Sequence, residues 1–233
     1  MRQSRGILGL SLALMVAPVG IGFAHGSGPM GGGGGTGSMG VSRTGAPDDQ
    51  AKSVYNAGVH SIKKAQEYEA DAAKAAAPEK SAKARDKARQ NYSKAVEQFI
   101  DAVSLQPNMY QAWNYLGFAN RHLGNYDAAL SAYAKALELN PAYPEAVEYR
   151  GEAYLGLNKL DEAKEAYMSL FKDSRSLADE LMAAMRRWTD ARRGDAQGLA
   201  PEVLEEFSKW VDERAGIAAQ TASLAVGAPA AWK

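Results

Sequence analysis

The sequence predicts an all-α fold, an α-solenoid of helix-turn-helix repeats with an elongated N-terminal helical hairpin and C-terminal capping helices. Three observations predict it. The phrase NYDAALSAYAKALELNP (Asn125–Pro141) is preceded 34 residues earlier by NYSKAVEQFIDAVSLQP and followed 34 residues later by a looser KLDEAKEAYMSLFKDSR. A fixed period of that length marks stacked structural repeats. From Ala51 onward the chain is rich in alanine, leucine, glutamate and lysine, and its apolar residues recur at helical steps rather than alternating. Glycine and proline fall between these stretches, at Pro78, Gly124, Pro141, Gly194 and Pro201, where helices start or stop.

Composition narrows the function classes. The chain has 233 residues, with 27 basic and 27 acidic side chains and 46% hydrophobic residues. A balanced charge argues against nucleic acid as a partner. The absence of cysteine removes disulfides, thiolate catalysis, thiolate metal sites and a lipoprotein anchor.

Residues 1–24 read as an export signal. Arg2 and Arg5 give the positive start, Ile7 to Phe23 the apolar run, and "GFA" the small-residue site before His25. The competing reading is an uncleaved anchor, which Pro18, Gly20 and Gly22 weaken as a helix. The expected address is the periplasm or the outside of the cell, with no stable membrane span after cleavage. Residues 25–47 are dominated by glycine and read as a flexible tether. No strand precedes these glycines and no lysine-hydroxyl pair closes them, so they do not form a phosphate loop. A freed terminus at His25 would pair an α-amino group with an imidazole, a copper-chelating combination that wants a second histidine on the same surface. No metal site is assigned.

Residues 48–108 are expected to form a lengthened helical hairpin ending in a first copy of the repeat. Gly58 and Ala95 stand 37 residues apart where Gly117 and Ala129 stand 12 apart, an insertion of 25 that is itself strongly helical. Pro78 lies midway, suited to the first position of a new helix. Each arm should run some 26 residues, about 39 Å, with an alanine seam at Ala65, Ala72, Ala76, Ala82, Ala84 and Ala88. Such an arm is either a solvated spacer or a docking surface.

Residues 109–143 make the clearest repeat. Trp113, Leu116 and Gly117 face inward on a first helix, Gly124 forms the turn, and Ala129, Leu130, Tyr133, Ala136 and Leu137 share a stripe on the second. Small residues mark where helices approach closely, and Trp113 is expected to fill a wedge between them. This order of Trp, Leu-Gly, Gly-x-Tyr, Ala, Tyr, Ala and Pro, with its 34-residue period, resembles the tetratricopeptide repeat.

Residues 144–177 form a degenerate copy. It keeps Gly151, Tyr154, Ala163 and Tyr167, but has Val147 for the tryptophan, Arg150 for the leucine and Arg175 for the proline. A capping helix follows at 178–194, with Ser176 and Asp179 as its expected capping box and Leu177, Leu181, Met185 and Trp188 as its stripe. A loop at 195–200 leads to an amphipathic helix at 201–224, opened by Pro201 and striped by Val203, Leu204, Phe207, Trp210, Val211 and Ile217. Residues 225–233 are a tail.

No nucleophile-base set, phosphate loop or paired carboxylates stand at a productive spacing, so no enzyme, cofactor or metal is predicted. His60 and His122 read as surface or packing residues. The resemblance implies instead a concave groove lined by the first helix of each repeat. Carried onto this chain, its residues are Gln111, Asn114, Phe118 and Arg121, then Glu145, Glu148 and Glu152, with Tyr55, Val59 and Ile62 continuing it. Phe118 would be an apolar anchor beside acidic side chains, which fits a basic or amphipathic protein segment. Relatives that hold a carboxylate use lysine and asparagine here, so Glu148 and Glu152 have the wrong sign for that ligand. The expected function is a non-catalytic adaptor of the cell envelope. The alternative is an accessory subunit of an envelope enzyme or assembly complex that docks through the hairpin.

Overall fold

The computed structural model describes residues 47–194 and 198–227. The export segment, His25, the tether before Pro47 and the chain beyond Gly227 lie outside the described residues. Among the described residues there are eight helices: α1 (Pro47–Lys74), α2 (Pro78–Leu105), α3 (Tyr110–His122), α4 (Tyr126–Leu139), α5 (Pro144–Gly156), α6 (Leu160–Asp173), α7 (Arg175–Arg192) and α8 (Pro201–Gly227).

The 34-residue period governs backbone as well as side chains. Helices α2, α4 and α6 each stop on an extended or near-extended residue (Gln106, Asn140, Ser174). Its N–H bonds back to Ala102, Ala136 or Leu170 at 2.9, 2.9 and 2.7 Å. The turns after α3 and α5 repeat likewise. Gly124 (φ 81°) and Asn158 (φ 58°) are both left-handed. Asn125 N–H reaches Asn120 O and Lys159 N–H reaches Tyr154 O, each at 2.9 Å. Asparagine tolerates this conformation better than most side chains, so the degenerate repeat keeps its turn without glycine.

Packing follows the same rule. Phe99, Tyr133 and Tyr167 are equivalent and fully buried. The first two rings lie over glycine backbone on the neighbouring helix, Phe99 on Gly58 and Tyr133 on Gly117. A Cβ at Gly117 would stand 2.5 Å from the Tyr133 ring. Gly117→Ala is therefore expected to cost about 1–3 kcal/mol by overpacking, read as a lower denaturant midpoint.

Successive odd-numbered helices touch (α1 with α3, α3 with α5, α5 with α7), whereas each even-numbered helix packs on its flanking odd ones. A stack whose odd helices are closer together than its even ones curves toward the odd side. Helices α1, α3, α5 and α7 therefore form the inner layer.

The hairpin helices run 28 residues each, about 42 Å. Their seam has a seven-residue register: Ala51, Gly58, Ala65 and Ala72 on α1, and Ser81, Ala88, Ala95 and Ala102 on α2, all buried. Ser81 joins it by donating to Ala72 O at 2.9 Å. Of the expected seam residues, Ala76 and Ala82 are exposed and Ala84 is half-buried, because they fall off this register. Regular spacing, rather than alanine content, decides which small residues meet.

Two further expectations change. Trp113 is only partly buried, its indole N–H donating to Pro107 O at 2.8 Å, so it closes the loop before α3 rather than filling a wedge. Among the described tryptophans the one at 0% exposure is Trp188. Helix α7 begins one residue before the expected capping box, with Ser174 as N-cap and no side-chain cap bond. Ser174 both ends α6 and starts α7, so Ser176 lies inside the first turn, where it cannot cap.

Helix α8 closes the stack from outside the groove. Phe207 meets Trp188 edge-on at 5.4 Å and Trp210 meets Tyr167 at 5.6 Å. Val203 and Ile217, expected on the packed side, are exposed.

Candidate partner-binding groove

The inner helices carry their groove residues at matching positions. Gln111, Asn114 and Phe118 on α3 stand one period before Glu145, Glu148 and Glu152 on α5, both sets at the i, i+3, i+7 spacing of one helix face. Depth differs sharply along that face. Gln111 and Glu145 are half-buried, while Asn114, Phe118, Arg121, Glu148 and Glu152 are all buried. Phe118 is not an open anchor. Its ring packs on Tyr149 at 5.0 Å and His122 at 4.4 Å, and the Arg121 guanidinium lies 5.2 Å from its centre. Tyr55 and Val59 are half-buried, but Ile62 belongs to the core between α1 and α2.

Below the face lies a network of buried charge. Arg121 pairs through Nη1 with Glu152 Oε2. Arg187 of α7 approaches the other oxygen of Glu152 at 3.9 Å. The attraction of Glu152 and its neighbours outweighs burial and holds the Arg121 guanidinium even more firmly protonated than usual. Glu148 has no such partner. Burial, then the charge of Glu152, pushes its carboxyl well above the usual range. Glu180 on α7 is pushed the same way, by burial first and then by Glu152 and Glu145.

A carboxyl with a raised folded pKa binds its proton more tightly in the folded than in the unfolded chain, so stability falls as pH rises from the unfolded value through the folded one. Glu148→Gln removes that loss. The variant is expected to come closest to wild type below about pH 4, under the unfolded pKa of glutamate, and to exceed it increasingly as pH rises above that, measured as denaturant midpoints.

Sequence reasoning missed two features. One is a belt of half-buried tyrosines, with Tyr55, Tyr115 and Tyr149 on inner helices and Tyr110 and Tyr143 at their entrances. Tyr55 and Tyr115 meet at 5.9 Å and Tyr110 and Tyr143 at 4.9 Å. Burial raises the pKa of Tyr55, Tyr115, Tyr143 and Tyr149, so they stay neutral donors. Tyr115 and Tyr149 are 34 residues apart, and that repetition was readable. The other is a tie between hairpin and repeats. Glu69 accepts from the Tyr92 hydroxyl at 2.9 Å and lies 3.2 Å from His122 Nδ1, while His122 stacks on Tyr92 at 4.4 Å. Burial lowers the pKa of His122 and keeps its imidazole neutral, which makes it a packing residue. His60 is exposed.

Among the described residues no three histidine, aspartate or glutamate side chains converge as a metal ion would need. Nor is any described helix long and apolar enough to cross a membrane. The curved inner layer presents carboxyl groups, amide groups and tyrosine rings and hydroxyls.

Two family models, each described as a tetratricopeptide repeat, match residues 80–144 and 120–188. No curated protein matches the chain. Among solved structures the chain is similar to one titled "Crystal structure of MamA", at 20% identity and a TM-score of 0.38, over 76% of this chain and 98% of that one. The two overlapping repeat matches cover the stack from α2 to α7, where the 34-residue period was seen in backbone turns and buried rings alike. The chain is a tetratricopeptide-repeat protein, a scaffold for protein–protein interaction.

Proposed function

We propose that this chain is an exported adaptor of the bacterial periplasm that catalyses nothing and holds a basic or amphipathic segment of another protein along its inner layer. The single observation that carries the groove is the combination on α3 and α5 of half-buried Gln111, Glu145, Tyr115 and Tyr149 over buried carboxylates. Such a face offers hydrogen bonds, ring surface and negative potential to one partner. The hairpin tip is a weaker candidate. Among the described residues the exposed large apolar side chains are Ile100, Met168, Val203 and Ile217, none of them between Lys63 and Arg89. The export reading rests on Arg2, Arg5, the run from Ile7 to Phe23 and the site before His25.

The test is a photo-crosslinking amino acid placed at Gln111 in the groove or at Lys80 on the hairpin, in the full-length chain expressed in its own cell envelope. Adducts from Gln111 support the groove. Adducts from Lys80 alone transfer the function to the arm and favour an accessory subunit docked through the hairpin. The mass of the recovered protein reports export, since loss of residues 1–24 leaves His25 as the first residue.

A further inference from the structure

Resting on the groove reading above, we propose that Glu148 is the counter-ion for one lysine or arginine side chain of the partner, which inserts between α3 and α5. Helix α5 places Glu145, Glu148 and Glu152 on its inner face and α7 adds Glu180, and the cations acting on this group are Arg121 and Arg187. Both guanidiniums are engaged by Glu152, one at each oxygen. Glu148 is left with 3% exposure and an Oε2 that has no hydrogen-bond partner.

The equivalent position one period earlier carries a second acceptor in the same condition. Asn114 is 1% exposed and its Oδ1 has no partner. Two buried oxygens without hydrogen-bond partners define the chemistry that is missing once Glu148 is ionised. A hydroxyl would satisfy one of them but bring no charge, and an anion would be repelled. An ammonium or guanidinium brings both donors and charge. The surrounding rings favour the same guest, because Arg121 already lies 5.6 Å from the Tyr149 ring centre and 5.2 Å from that of Phe118. The lack of a converging three-ligand set among the described residues favours an organic cation over a metal ion.

The groups that face Glu148 set the proton balance. They are Arg121 of α3, Tyr133 of α4, Tyr149 and Glu152 of its own helix, and Glu180 and Arg187 of α7. In the empty groove burial, and then the charge of Glu152, make the carboxyl bind its proton more tightly than a free glutamate does. When a cation enters, that proton leaves to solvent and the carboxylate forms the ion pair. Binding should therefore release a proton and tighten as pH rises.

The probe is a short capped peptide alternating leucine with arginine, compared with the same peptide carrying neutral citrulline for arginine. Titration calorimetry in two buffers of different ionisation enthalpy reads affinity and proton release together. The citrulline peptide leaves the protein untouched and should bind about thirtyfold or more weakly, and Glu148→Gln should weaken the arginine peptide by a similar factor and abolish the proton release. Circular dichroism confirms that the variant is folded. Equal behaviour of the two peptides, including no binding by either, overturns the proposal, as does proton release that survives in Glu148→Gln. Undiminished Gln111 crosslinks in Glu148→Gln would sink the counter-ion while leaving the groove standing. Absence of Gln111 crosslinks in wild type would sink the groove itself.

Discussion

Trp188→Ala is expected to lose about 3–5 kcal/mol of stability, from the cavity left by a fully buried indole. About 1 kcal/mol more follows from unpairing Leu155 O, to which the indole N–H donates at 2.7 Å. One ring holds three elements at once. It caps the carbonyl end of α5, carries the Phe207 edge of α8 and lies under the Arg192 guanidinium at 3.9 Å. The loss should therefore be uneven. Hydrogen exchange should show α8 opening first, with the α1–α2 pair little changed. Trp188→Phe, which keeps most of the volume without the donor, should recover more than half of the midpoint. A midpoint for Trp188→Ala within experimental error of wild type would remove α8 as the cap of the stack.

Arg121→Ala is expected to cost about 3–5 kcal/mol, because it leaves Glu152 buried with only the longer contact to Arg187 and with Glu148 beside it. The cost has a pH signature. Without the guanidinium the Glu148 carboxyl loses a counter-charge and holds its proton still more tightly in the fold, so the variant should be closest to wild type in acid and fall away as pH rises. Arg121→Met combined with Glu152→Met separates charge from shape. Replacing both partners by apolar residues of similar reach should restore most of the loss, and the double variant failing as badly as the single one would show that packing around Phe118 and Tyr149 dominates. Denaturant midpoints at two pH values decide between these outcomes.

The fold was legible because the period acts on several physical quantities together. Phe99 and Tyr133 need small residues opposite them, and Gln106, Asn140 and Ser174 need to leave the helix, so packing and turn chemistry both wrote the same interval into the sequence. Depth was not legible. A spacing of three and seven residues places Asn114, Phe118, Glu148 and Glu152 on the inner face, but only the approach of the neighbouring inner helices covers them, and that approach is set by side chains distant in sequence. The two tryptophans show the same limit. Trp113 and Trp188 sit on similar stripes, yet one faces a loop and the other a complete layer of helices. Ser176 was misread because a capping box is a local pattern. The tight junction at Ser174 is imposed by the preceding repeat.

The seven-residue register of the hairpin makes its reach a quantity that changes in steps. Inserting one or two residues into either long helix would rotate Ala72 or Ser81 off the seam. Inserting seven residues into each helix, on both sides of Pro78, would preserve every contact below the insertion and move the tip outward by about 10 Å. The contacts on the near side of the insertion would be unaffected, among them the tie of Glu69 and Tyr92 to His122 of α3. The hairpin is therefore an arm of adjustable length on a repeat stack of fixed pitch, and two chains sharing this groove could differ in span by whole multiples of that step without altering what the groove binds.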